Sequence, residues 1–137
     1  MTMNPKDAIV LFAHGARDAR WALPLERLRL ELEHLRPRTP VRVAFLELQS
    51  PGLPQVLAEL TAADFRSIAV MPIFWSHGGH VAVDLPALVQ EFAAREPGVS
   101  IRILPALSEL PGMHHFVARA ILAQSGSITA AQGEGPE

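Results

Sequence analysis

Apolar positions along the chain follow two rhythms that take turns. Ala8 to Ala13 is an unbroken apolar run, the pattern of a strand buried on both faces of a parallel sheet. Leu25, Leu28, Leu32 and Leu35 are spaced by three and four, which predicts a helix over residues 22–35 with one apolar face. Pro37 and Pro40 bracket its exit, and Val41 to Leu46 reads as a second strand. Ser50-Pro51 predicts a helix start with proline in the first turn, with Leu53, Val56, Leu57 and Leu60 on the buried side. Ser67 to Phe74 is the third strand, and Asp84 to Arg95 a third helix that ends at Pro97-Gly98. Val99 to Leu104 alternates and predicts an edge strand. Pro111 to Ala123 predicts a fourth helix, with Met113, Phe116, Val117, Ala120 and Ile121 turned inward.

Strand followed by helix, repeated four times in roughly 120 residues, implies a mostly parallel sheet with right-handed crossovers. The expected fold is α/β, a three-layer sandwich around a small four-stranded parallel sheet of order 2-1-3-4. One domain spans residues 1–124. Residues 125–137 hold Gly, Ser, Gln and Pro with little to bury, and are expected to be a disordered tail. In this order the chain reverses direction between strands one and three, and open α/β sheets bind ligands in the crevice at that point.

Two histidines fall there. His14 closes the first strand, and His80 follows the third by a short loop, Ser76-His77-Gly78-Gly79. His14 alone could be a strand-end residue bonded to backbone, and the two glycines before His80 could make either a plain turn or a flexible loop over a substrate. Two on one sheet edge suggest a divalent metal site that the protein does not complete by itself. Gly15 lets the backbone come close to a ligand. Glu47, just past the second strand, belongs to the same edge. It could ligate metal, accept a proton or be a solvated loop residue. Arg17 could pair with an anionic group or be simply solvated. His114 and His115 lie in the last helix, where packing or surface roles compete with any chemistry.

Composition narrows the choice. The chain has 137 residues, 49% of them hydrophobic, and a formal charge of −2. It therefore carries no basic footprint for nucleic acid. No cysteine is present, so thiol catalysis, disulfides and cysteine zinc sites are excluded. No apolar run approaches the ~20 residues of a membrane span, and the first residues lack the layout of a signal peptide. A cytoplasmic location is expected.

Several ordered motifs together resemble the sirohydrochlorin chelatases of the CbiX/SirB type. They are His14-Gly15-Ala16-Arg17-Asp18, the stretch from Ala44 through Glu47 to Pro51, Met71-Pro72-Ile73-Phe74, Gly78-Gly79-His80-Val81, Asp84-Leu85-Pro86 and Leu104-Pro105-Ala106-Leu107. The resemblance covers roughly residues 8–122. It departs from the usual pattern at Ala16, where serine is commoner, at the extra imidazole of His77, and before Pro111, where a histidine is often found.

The resemblance implies insertion of Co²⁺ or Fe²⁺ into sirohydrochlorin, for cobalamin or sirohaem. Ni²⁺ is also within reach of such donors. It places metal on His14 and His80 and matches an acidic residue near the site to Glu47, which could assist deprotonation of the ring; the many carboxylates of such a ring make Gly15, Arg17, His77, Gly78 and Gly79 candidate substrate contacts. It requires no organic cofactor, nucleic acid or membrane. Long members carry two similar lobes, and the short form pairs as a homodimer. A non-catalytic metal or tetrapyrrole carrier would keep the same site. Histidine phosphatases need arginine before the strand-end histidine, where this chain has Ala13. Receiver domains need an aspartate at the third strand, which ends here in Met71-Pro72-Ile73-Phe74. Flavodoxins need a hydroxyl-rich loop after strand one, which Gly15-Ala16-Arg17-Asp18 is not.

Overall fold

The computed structural model describes residues 5–15, 19–46, 50–79 and 81–131. Four strands, β1 (Asp7–Ala13), β2 (Val41–Phe45), β3 (Ser67–Pro72) and β4 (Ser100–Ile103), alternate with helices α1 (Leu23–Leu35), α2 (Leu53–Ala62), α3 (Val81–Arg95) and α4 (Met113–Ala131). The sheet has the expected order β2-β1-β3-β4, and every pairing is parallel.

Side chains alternate across a strand, so β1 feeds two cores. Ala8, Val10 and Phe12 join Ala44, Ile68 and Val70 beneath α2 and α3, against Leu53, Val56, Leu57, Leu60, Leu85, Val89 and Phe92. Leu11 joins Val41 and Met71 on the other face, with Ile9, Val43 and Leu32 of α1 packed against them. The inner face expected for α2 is therefore the observed one. The helix begins later than expected, at Leu53, with Gly52 capping and Pro54 rather than Pro51 in its first turn. Before it, Pro51 is held in the sheet's edge, its carbonyl accepting the Phe45 N–H at 2.9 Å.

Helix α3 starts earlier than expected, at Val81, and carries Pro86 inside. The proline forgoes one backbone bond. Val81 and Leu85, one turn apart and both buried, offset that loss by packing. In α1 the leucine stripe is buried less than its spacing implies. Leu25 is buried, but Leu28 and Leu35 are exposed. The helix packs chiefly along β2, an edge strand too narrow to cover a whole face.

Helix α4 departs furthest from expectation. Phe116 and Ile121 are 67% and 60% exposed, Ala120 is exposed, and Met113 and Val117 are only half-buried. The segment after β4 has already taken the place a fourth helix would fill: Leu104, Leu107 and Leu110 pack on the Leu11–Val41–Met71 cluster. Helix α4 is left touching mainly the 3-10 turn Leu107–Glu109. It also continues to Ala131, beyond residue 124 where the sequence placed the domain's end; residues 132–137 lie outside the described residues. Among the described residues no helix is long and apolar enough to cross a membrane.

The two cores make a simple prediction. Leu57 has no exposed surface and Leu30 is 56% exposed, so Leu57→Ala should destabilise the domain by roughly 2–5 kcal/mol and Leu30→Ala by about 0.5 kcal/mol or less. Urea midpoints of the two variants check this, and equal midpoints would contradict the assignment of the core.

Candidate functional site

Parallel strands end in register, so the residues that follow them gather on one edge. Beyond β1, the Ala13 carbonyl accepts the Leu46 N–H at 2.8 Å, and the Phe12 carbonyl accepts the Ile73 N–H at 2.7 Å. These bonds bring the ends of β1, β2 and β3 together. His14 is the first residue past β1, and its side chain is exposed at this edge. Gly15 then turns the chain with φ of +90°, a conformation that glycine adopts without steric cost.

One ring fixes the histidine from behind. Phe74 lies edge-on to His14 with centroids 4.8 Å apart and planes at 78°. The same ring meets the buried Phe12 edge-on at 6.2 Å. Phe74 is therefore a wedge between the core and the imidazole, in the edge-to-face geometry that aromatic rings favour. The sequence reading had placed Phe74 at the end of a strand, but β3 stops at Pro72. Past that point the Phe74 carbonyl turns to accept the Leu107 N–H at 3.0 Å.

The loop that follows carries the other expected contacts. His77 is half-buried, and Gly78 and Gly79 are exposed. A Cβ added at either glycine would meet nothing within 4 Å, so there is open space beside this turn. Only Gly79 needs its residue type, with φ of +56°. His80, Glu47 and Arg17, all named from the sequence, lie outside the described residues. His80 is flanked in sequence by Gly79 and the first residue of α3.

One aromatic residue at this edge, Trp75, is not among those the sequence singles out. Trp75 is 49% exposed, and its ring meets that of His114 edge-on at 5.4 Å. Nothing in the periodicity singles out Trp75, because its neighbour comes from α4, far along the chain. The signal available was a large aromatic placed just past a strand, where a loop is expected.

The resolved charge couplings lie away from this edge. Asp64 accepts a hydrogen bond from Lys6 and pairs with Arg66. Lys6 precedes β1, and Asp64 and Arg66 precede β3, so the cluster sits at the opposite end of the strands. The Lys6 hydrogen bond holds the Asp64 carboxyl below its usual range. Arg42, bonded to Glu59 at 2.5 Å, does the same for Glu59. Among the described residues no three His, Asp or Glu side chains converge on one point.

An open parallel α/β domain with an exposed imidazole at the switch point of its sheet belongs to the class that binds a ligand across the carboxyl ends of its strands. The profile of the CbiX family matches residues 8–124, and the chain belongs to that family. It is 30% identical to a sirohydrochlorin cobaltochelatase of Methanothermobacter thermautotrophicus, over 63% of this chain and 59% of that protein. It thus spans less than two thirds of that relative's length. Among solved structures it is similar to a cobalamin biosynthesis CbiX protein of Marinobacter aquaeolei, with a TM-score of 0.76, 26% identity, and coverage of 88% of this chain and 98% of that one. It is also similar to the sirohydrochlorin chelatase SirB of Bacillus subtilis. The structure of SirB with cobalt gives a TM-score of 0.59 and 28% identity over 71% of this chain and 42% of that one. The structure with Fe³⁺ gives 0.70 and 26% over 89% and 47%.

The wedge is testable by proton NMR. Removing a ring current in Phe74→Leu should move the His14 ring resonances and leave those of the distant His34 in place. Unchanged His14 signals in a folded variant would contradict the contact.

Proposed function

We propose that this chain is a chelatase that inserts Co²⁺ or Fe²⁺ into sirohydrochlorin. The observation that carries the reading is the position of His14, exposed at the switch point of the sheet and inside the stretch that matches the CbiX family. The reaction replaces two pyrrole N–H protons of the ring with one divalent ion. The ion must be held loosely enough to leave, and imidazoles without thiolates hold first-row divalent metals without sealing their coordination.

In this reading His14 and His80 present the metal, and ring nitrogens take the open positions. The two displaced protons pass to a neutral imidazole or to Glu47, and then to water. Arg17 and His77, with the backbone N–H groups of Gly15, Gly78 and Gly79, meet the carboxylates of the ring. No organic cofactor takes part.

The working unit in this reading is a homodimer. Helix α4 supports it with an apolar face formed by Phe116, Val117, Ala120 and Ile121, on a helix that its own body hardly touches. The SirB chain is about twice as long as the stretch it shares with this one. It therefore has room for a second unit of this kind, which a second copy of this chain would replace.

Two outcomes are expected. Anaerobic absorbance spectroscopy of sirohydrochlorin with catalytic protein should show metal-dependent conversion over many turnovers. His14→Ala should slow it by at least about 100-fold, the upper range for loss of even a supporting group at a metal site. Conversion that stops at one equivalent would identify a carrier, and an unchanged rate in His14→Ala would remove His14 from the site. In light scattering coupled to gel filtration, the protein should elute as a dimer and Phe116→Asp should shift it to monomer. A wild-type monomer at all concentrations would refute the assembly.

A further inference from the structure

The Trp75 side chain belongs to neither core and has no part in the chemistry assigned to the histidines. Its indole is half exposed, yet its backbone is anchored. The carbonyls of Phe74 and Trp75 accept the N–H groups of Leu107 and Ser108 at 3.0 and 2.9 Å. The side chain is braced as well, by the His114 ring at 5.4 Å and 71°. A large aromatic surface held in place and left open to water is the pattern of a binding anchor, because the ordering cost is met before the ligand arrives.

Its place in the chain says which ligand. Phe74, the preceding residue, is the ring that supports His14, so Trp75 stands on the same short segment as the support of the metal-binding edge. The indole offers an extended apolar face, and the exposed glycines Gly78 and Gly79 offer backbone polar groups farther along the same loop. A flat conjugated macrocycle with carboxylates on its rim matches that arrangement of apolar wall and polar margin.

We propose that Trp75, held by His114, is the wall against which the tetrapyrrole macrocycle packs. Trp75 is then a substrate-binding residue, and His114 a positioning residue that acts through it. The inference rests on the chelatase reading and deepens it.

The test is an anaerobic titration of metal-free sirohydrochlorin into the wild type, Trp75→Ala, Trp75→Phe and His114→Ala, alongside Co²⁺ titrations and gel filtration of each. Trp75→Ala should weaken tetrapyrrole binding by about tenfold, and Trp75→Phe should retain most of the affinity. His114→Ala should fall between them. Co²⁺ affinity and oligomeric state should not change, and in turnover KM should rise while kcat holds. Trp75→Gln gives the same readout should the alanine form be unstable. Wild-type affinity in both Trp75→Ala and Trp75→Gln overturns the inference and leaves the chelatase reading standing. Loss of the dimer in step with affinity also overturns it, and makes Trp75 an interface residue. A wild type that does not bind sirohydrochlorin defeats the chelatase reading and this inference together.

Discussion

The pairing of β1 with β3, parallel and buried on both faces, is the constraint from which the rest follows. Six register pairs join Asp7 through Phe12 to Ser67 through Pro72. Because Val10, Phe12, Ile68 and Val70 fill one core while Leu11 and Met71 fill the other, a one-residue slip would exchange the two sets. Phe12 would then turn toward the thinner face and Leu11 toward α2 and α3, at the cost of both cores. The register is thereby fixed, and so is the level at which each strand stops.

Chemistry at the edge is a consequence of that level. Strands that run in the same direction and end together bring together residues far apart in sequence. His14 and Phe74 touch across sixty positions only because β1 and β3 are neighbours. The last ladder bond, from the Ile73 N–H to the Phe12 carbonyl, sets the height at which Phe74 leaves the sheet. The same crossovers place the ionic cluster of Lys6, Asp64 and Arg66 at the far end. Charges that stabilise the turn before β3 are thus kept from competing for the imidazole edge.

The two faces of the sheet are covered unequally, and this asymmetry has a function in the proposed assembly. Helices α2 and α3 close one side with a continuous apolar layer. The other side relies on α1 at the rim and on the short segment Leu104–Leu110, which leaves α4 projecting with its apolar side chains in water. In the proposed assembly that apolar surface would be covered by a second copy of the chain.

Periodicity predicted the four strands and four helices, because burial on both faces forces continuous apolar runs and parallel pairing forces crossovers; the order β2-β1-β3-β4 was an expectation of the doubly wound class, which the structure bears out. Periodicity also placed His14 at the end of β1, since a strand-end residue is legible wherever an apolar run stops. It overstated the burial of Leu28, Leu35, Phe116 and Ile121, because a stripe along a helix shows that a face is apolar and not whether a surface is there to cover it. It had no access to the Phe74 wedge or to Trp75 against His114. Those contacts join segments remote along the chain, and their distances exist only once the register of β1 on β3 has brought the segments to one edge.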